Sequence, residues 1–234
     1  MQPNPWNDPY VSDDELVLEC DKAVIDVVNE RYADNENHKI HTEIPPQPFI
    51  GNPLKARVLL LLLNPSWDES DIKTFSSPDL KKAMDANLKL EEADYPFYVL
   101  DPQHKKLAEQ SAIKWWSDCL SFCIDEIPDD KEKSIQLLSK NFAAVEFHGY
   151  HSKKYASIPV TLPSQTFGFS LVKNAIKEEK VIIVARGKFD WDCAVPELLN
   201  YKNRFDTKNR QQKKISPGNI TNNGFAKIID KLKD

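Results

Sequence analysis

The chain has 234 residues, with 31 Lys and Arg against 36 Asp and Glu, which gives a formal net charge of −5 at pH 7. Its 41% apolar and 29% charged residues are typical of a globular protein and exclude a wholly disordered or collagen-like chain. The mildly acidic balance excludes a uniformly basic surface for nucleic acid, but it leaves room for a local basic patch.

The sequence contains few features that would indicate a membrane segment or a site built from cysteines. The longest apolar run, residues 58–63, is far too short to cross a bilayer, and the first residues lack the regions of a signal peptide. Cys119 and Cys123 lie four residues apart, beside Trp115 and Trp116. This spacing suits either a pair of metal ligands or two thiols buried in the core, and we favour buried thiols. These features predict a cytoplasmic protein without a membrane segment, metal or other cofactor.

The first part of the chain predicts one helix, one irregular connection and one strand. Ser12-Asp-Asp-Glu15 fits a capping box, and apolar residues at helical spacing continue the helix to about residue 32. Residues 38–53 are rich in proline and are expected to be irregular. Residues 57–63 contain a continuous apolar run, which predicts a strand buried on both faces.

Helices and strands alternate in the rest of the chain. Helices are predicted at residues 78–90, 105–127, 131–140, 164–177 and 222–233. Further strands are predicted at residues 142–147 and 181–185, with a fourth near Phe205 or Lys214-Ile215. This alternation indicates a three-layer α/β/α domain with a short, mostly parallel, four-stranded sheet. We expect this single domain to span residues 57–234, and residues 1–56 to pack on its core.

Polar segments follow the predicted strands, where ligands bind in an open parallel sheet. In a doubly wound sheet these segments gather on one rim. They are Asn64-Pro65-Ser66-Trp67-Asp68, His148-Gly-Tyr150-His151-Ser152-Lys153-Lys154, Arg186-Gly-Lys188 and, before the last helix, Ile215-Ser216-Pro-Gly218-Asn219. The candidate catalytic residues are Asn64 and His151. The candidate binding residues are Pro65, Ser66, Trp67, His148, Tyr150, Ser152, Arg186, Ser216, Gly218 and Asn219.

Each candidate has a chemical and a structural interpretation. The amide of Asn64 can position a water or a base edge, although Asn-Pro is also typical of a turn. An imidazole in the loop of His148 and His151 can act as acid or base, or it can cap a strand end. Trp67 and Tyr150 can stack on a base, an interaction worth about 1–3 kcal/mol in single-strand complexes, or they can belong to the core.

Two further segments suit anion binding. Arg186 can hold a phosphate or carboxylate in bidentate fashion, or it can pair with Asp190 or Asp192. Free backbone N–H groups around Ser216 can bind phosphate before the last helix, or the segment can simply lead into that helix. The His-x-x-His spacing lacks a nearby third ligand, and Glu146 alone does not make a metal site convincing.

The order of these segments resembles the uracil-DNA glycosylase superfamily over roughly residues 57–234. Leu61-Leu-Leu-Asn64-Pro-Ser66 is similar to the first family motif, and Ser216-Pro-Gly-Asn219 is similar to the second. Residues 147–152 fall where the family reads the flipped base. The resemblance implies a compact α/β/α fold and hydrolysis of the N-glycosidic bond of a base. Asn64 would position water, and His151 would protonate or stabilise the leaving base.

The resemblance leaves alternatives open. Leu63 stands where the family usually has glycine, and Ile215-Ser-Pro-Gly stands in place of His-Pro-Ser. These departures favour a non-catalytic module that binds nucleic acid or a nucleotide on the same fold. Residues 202–214 carry a net charge of +5, which suits phosphate contacts or a solvated loop. A small-molecule enzyme that uses the two histidines is a third alternative. The chain is also similar to a set of uncharacterised bacterial proteins, which implies no activity.

Overall fold

A computed structural model describes residues 1–107, 111–127, 130–155, 157–209 and 211–233. Arg210 of the basic segment and residues 108–110 of the predicted helix 105–127 lie outside these ranges. Within them, the chain is an α/β protein with a mixed, mostly parallel sheet. The strands are β1 (Phe49–Ile50), β2 (Val58–Leu61), β3 (Phe142–Val145), β4 (Val181–Val184) and β5 (Arg204–Asp206).

Eight helices are present in the described part of the chain. They are α1 (Glu19–Arg31), α2 (Glu69–Phe75), α3 (Pro78–Leu88), α4 (Ser111–Glu126), α5 (Lys131–Asn141), α6 (Gln165–Lys177), α7 (Lys188–Ala194) and α8 (Gly224–Lys233). The predictions for α3, α5, α6 and α8 are confirmed to within a few residues. The short helices α2 and α7 are missed, because seven residues are too few to show a clear helical period.

The predicted start of the first helix is wrong. The N–H of Glu15 does donate to Ser12 Oγ, at 3.1 Å, but this bond closes an isolated turn. The next residues lead to a bridge between Tyr10 and Leu18, and α1 begins only at Glu19. A capping-box pattern is local, so it cannot report that the following residues are already paired elsewhere.

The strand order of the sheet is β1-β3-β2-β4-β5. Strands β2 to β5 are parallel, and β1 pairs with β3 in the antiparallel direction. The mostly parallel sheet is thus confirmed, but the described residues form five strands rather than the four predicted. The additional strand comes from the proline-rich connection, where two residues carry no alternating pattern that a sequence could reveal.

Helices pack on both faces of the sheet. Val58 and Leu60 of β2 join the core that contains residues of α4, α5 and α8, whereas Leu59 and Leu61 join the core that contains residues of α1, α6 and α7. All four side chains are buried. Burial on both faces explains why β2 is continuously apolar rather than alternating.

The topology brings the polar loops to one place. From β2 the chain passes to β3 on one side and then crosses to β4 on the other, so β2 lies at a topological switch point, where ligands bind in such sheets. Backbone pairing continues beyond the strands, because the N–H of His148 donates to Leu63 O at 3.1 Å and that of Arg186 donates to Leu61 O at 3.3 Å. The three strand-end loops therefore start from fixed positions.

Candidate functional site

A cavity of about 220 Å³ opens at the carboxyl ends of β2, β3 and β4. Five predicted site residues line it: Asn64, Pro65, Ser66, His151 and Arg186. The rest of its lining consists of Gln47, Ile50, Leu62, Phe75, Trp115, Trp116 and Glu146. The volume lies below the roughly 300–1,000 Å³ of drug-sized sites, so the cavity suits a small ring compound.

Asn64 has a fixed amide with one open oxygen. Its Nδ2 donates to Ser152 Oγ and to Pro65 O, both at 2.9 Å. Ser152 Oγ in turn donates to Lys154 O at 2.7 Å, which fixes the hydroxyl. No hydrogen bond from the described residues reaches Asn64 Oδ1. The amide is therefore oriented so that an acceptor oxygen is available to a water or to an N–H group of a ligand.

His151 is buried and held by the backbone. Its Nδ1 lies 2.7 Å from Ser66 O, and its Nε2 lies 3.1 Å from Pro45 O. Two carbonyl oxygens favour a protonated ring, but burial has the larger effect and lowers the pKa of His151 to about 4. The imidazole is thus neutral at pH 7. A neutral ring has a single N–H, so it donates to one of these two carbonyl oxygens. Because both nitrogens face backbone oxygens, His151 presents neither nitrogen to the cavity.

Glu146 is the least expected member of the lining. It directly follows β3, is 8% exposed and is held at its backbone by a 2.9 Å bond from its N–H to Pro48 O. Its Oε2 is buried without a hydrogen-bond partner among the described residues. Burial raises the pKa of Glu146 to about 8, although the positive charge of Arg186 opposes this effect. Glu146 is therefore mostly protonated at neutral pH.

Arg186 stands at the mouth of the cavity. Its side chain is exposed, and it forms no salt bridge with any residue in the described ranges. Within the described part of the chain, Arg186 pairs with neither Asp190 nor Asp192, and Asp192 pairs with Arg204 instead. The guanidinium is consequently available to an anionic group of a ligand.

Aromatic rings form a wall of the cavity. Trp115 and Trp116 of α4 meet edge to face, with centroids 4.7 Å apart, and Phe75 of α2 approaches His151 with centroids 5.6 Å apart. The sequence did not assign these residues to the site, because only the docking of α2 and α4 brings them there. The tryptophan doublet and Glu146, a lone acid at the end of an apolar strand, were the available signals.

The side chains of three predicted binding residues contact other parts of the protein. Trp67 stacks on His41 with centroids 3.6 Å apart and also carries Lys153 Nζ, 4.9 Å from its centroid. Tyr150 is buried in the opposite core, where its hydroxyl donates to Asp21 at 2.8 Å. His148 is buried against Tyr155, with centroids 5.6 Å apart. The structure does not place these three among the lining of the cavity.

The segment before α8 lies beside the cavity rather than in it. Asn219 is buried, and its Nδ2 donates to Gln212 O and Lys214 O at 3.1 and 3.0 Å. Ser216 is buried and Gly218 is exposed, and neither belongs to the lining. Ile215 borders a narrow cleft that shares Arg186 with the main cavity. Asn219 thus organises a loop that stands next to the Arg186 side of the site.

Several of the described cations of the basic segment, residues 202–214, already contact neighbouring side chains. Lys213 Nζ pairs with Asp118 at 2.6 Å, and Lys214 Nζ lies 5.6 Å from the ring centroid of Phe122. The side chain of Arg204 is largely buried and pairs with Asp192. The net charge of this segment therefore overstates the positive charge that it offers to a phosphate.

The described residues offer neither a metal cluster nor a membrane-spanning helix. In the described ranges, no group of three or more His, Cys, Asp or Glu side chains is arranged to hold a metal ion. Cys119 and Cys123 are buried free thiols, and burial raises the pKa of Cys119 to about 12. None of the described helices combines the length and apolar character that a membrane span requires.

No protein-family model, curated protein or solved structure matches this chain.

Proposed function

We propose that this chain binds a nucleobase in the cavity and hydrolyses its N-glycosidic bond, as a divergent protein with a three-layer, uracil-DNA-glycosylase-like architecture. The observation that carries the proposal is the convergence of Asn64, Arg186 and an aromatic wall on one cavity at the switch point of the sheet. A planar heterocycle fits such a wall, and a polar rim suits the attached sugar and phosphate.

Each group has a role that follows from its geometry. The open Oδ1 of Asn64 accepts a hydrogen bond from the attacking water and orients it. Trp115, which is half-buried at the cavity wall, packs against the base. Arg186 holds a phosphate at the mouth. His151, with both nitrogens facing backbone oxygens, is a positioning residue that fixes the loop of Asn64.

The first experiment measures release of free base from oligonucleotides. The probes are single- and double-stranded oligonucleotides that each carry one uracil, one hypoxanthine or one mismatched thymine. We expect wild type to release at least one of these bases and Asn64→Ala to be slower by about 100-fold, because a misplaced reactant costs roughly that factor. Asn7→Ala, a change at an exposed residue outside the cavity, should match wild type.

Unfolding curves of both variants show whether the loss arises at the site. Equal stability with a slower Asn64→Ala supports the assigned role. No base release from any probe by wild type, or equal rates in wild type and Asn64→Ala, contradicts the proposal.

A non-catalytic binding module is the second candidate function. The exposed guanidinium of Arg186 favours it, because a cation that forms no salt bridge within the described chain can hold a phosphate whether or not a bond is broken. Binding to the same oligonucleotides that weakens with salt and with Arg186→Ala, but without any base release, identifies this function instead.

A further inference from the structure

The cavity contains a buried acid that the roles above do not use. Glu146 lies at the end of β3 on the sheet face that Ala144 shares, since successive side chains of a strand alternate. This is the face of Leu62 and Trp116, which also line the cavity. The carboxyl group is nine-tenths buried, and its Oε2 has no partner within the described chain. A buried polar atom without a hydrogen bond lowers the stability of the fold, unless a bound ligand supplies the missing hydrogen bond.

Few ionisable groups in the described part of the chain lie near Glu146. A second, small cleft that Glu146 also borders contains His148. Among the described residues that line the cavity, the other ionisable groups are Arg186, from the loop after β4, and His151, from the loop after β3. Gln47, from the proline-rich connection, is neutral and is tied through Nε2 to the hydroxyl of Tyr98 at 2.7 Å. His151 is neutral because of its burial, so among these lining groups only Arg186 opposes the protonated state of the carboxyl.

We propose that Glu146 is the catalytic acid of this site and that it delivers a proton to the departing base. This inference rests on the proposed function. It defines the substrate class as bases that leave as neutral molecules, with a ring nitrogen or carbonyl oxygen turned toward the end of β3. The raised pKa of the carboxyl, about 8, supports the assignment, since it keeps the proton in place at neutral pH.

The step balances without any further reactant than water. The bond between C1′ of the sugar and the base nitrogen breaks, and its electron pair goes to the base. Glu146 Oε2–H transfers its proton to the base, which leaves as a neutral molecule. The water held by Asn64 forms the new C–O bond at C1′ and loses one proton to bulk solvent. The Glu146 carboxylate then regains a proton from bulk solvent.

The test compares Glu146→Gln with wild type under single-turnover conditions. Glutamine keeps the shape and an N–H donor but has no proton to transfer. We expect it to bind the oligonucleotide that wild type cleaves within about threefold of wild type and to release the base at least about 100-fold more slowly, as general acids contribute about 10²–10⁴-fold. The same change at an exposed residue outside the cavity, Glu197→Gln, should leave rate and binding unchanged.

The pH profile provides a readout that a structural role would not move. The wild-type rate should fall above about pH 8, where the carboxyl loses its proton, and the residual rate of Glu146→Gln should lack this descending limb. A Glu146→Gln rate within threefold of wild type, or a descending limb that persists in the variant, overturns the assignment of Glu146 while base release by wild type still upholds the proposed function. Absence of base release by wild type overturns both.

Discussion

The buried polar side chains of this protein are of two kinds. Some form hydrogen bonds within the chain, and others have a polar atom without such a bond that faces the cavity. Tyr150 belongs to the first kind. Its hydroxyl donates to Asp21 Oδ2 at 2.8 Å and accepts from the N–H of Leu18 at 3.2 Å. Asp21 Oδ1 also accepts from the N–H of Ser164 at 3.1 Å. This buried network ties α1 to the loop that precedes α6, and it uses the groups that a ligand would need.

Removal of one hydroxyl tests this network. Tyr150→Phe leaves the buried Asp21 with one hydrogen bond fewer, so we expect the free energy of unfolding to fall by about 1–3 kcal/mol in urea titrations. Base release should keep its rate, because Tyr150 does not line the cavity. Tyr95→Phe, for which no hydroxyl bond is formed with the described residues, should change stability by less than about 0.5 kcal/mol. A slower reaction with unchanged stability would show that Tyr150 acts at the site.

At the scale of elements, the proline-rich connection extends the sheet and completes the cavity. It runs antiparallel to β3 and to the loop beyond it: the N–H of Gln47 donates to Gly149 O at 2.8 Å, and that of His41 donates to His151 O at 2.9 Å. Prolines suit this position because an edge strand needs few N–H donors. The connection delivers Gln47 and Ile50 to the cavity lining and Pro45 O to the ring of His151.

A single glycine permits this close approach. A Cβ atom at Gly149 would lie 2.9 Å from Pro48 N and 3.0 Å from Pro48 Cα, and backbone atoms cannot move aside cheaply. Gly149→Ala should therefore destabilise the fold by about 1–3 kcal/mol and slow base release, as measured by urea unfolding and the oligonucleotide assay. Gly218→Ala is the matched control, because a Cβ there has open space. Equal stability of the two variants would contradict this account of the connection.

At the scale of the whole molecule, the buried acid makes stability depend on pH. The pKa of Glu146 rises from 4.5 unfolded to about 8 folded, so between these values the folded state holds a proton that the unfolded state has released. Stability must then fall as pH rises through this window. His151 acts in the opposite sense from about pH 4 to 6.5, because its pKa is lowered on folding.

A comparison of wild type with Glu146→Gln isolates the contribution of Glu146 to the pH dependence of stability. Between about pH 5.5 and 7.5, the free energy of unfolding of wild type should decline relative to the variant by up to about 1.4 kcal/mol per pH unit, the limit for one proton. The difference should level off above about pH 8. Urea titrations at several pH values measure it, with Glu197→Gln as the exposed control. A constant difference across this range would show that Glu146 is not protonated in the folded protein.

Much of the architecture follows from local patterns in the chain. Residues 57–63, 142–147 and 181–185, which are mostly apolar, each contain a buried strand, and the polar segments after them meet at one rim. These features are readable because burial on both faces demands continuous apolar sequence, and because parallel strands end at the same edge. On this basis the sequence by itself determined the class of fold and the position of Asn64, His151 and Arg186 at one cavity.

Only the tertiary structure decided what each polar group can do there. His151 and Tyr150 have the same chemistry in the sequence whether they face a ligand or the backbone, and the partners that occupy them, such as Pro45 O and Asp21, are distant along the chain. The environment of Glu146 likewise depends on Trp116, which lines the same cavity, and on the proline-rich connection, where Pro48 O accepts from the N–H of Glu146. Hydrogen-bond satisfaction and desolvation are properties of the packed interior, so they set the roles that residue type alone leaves open.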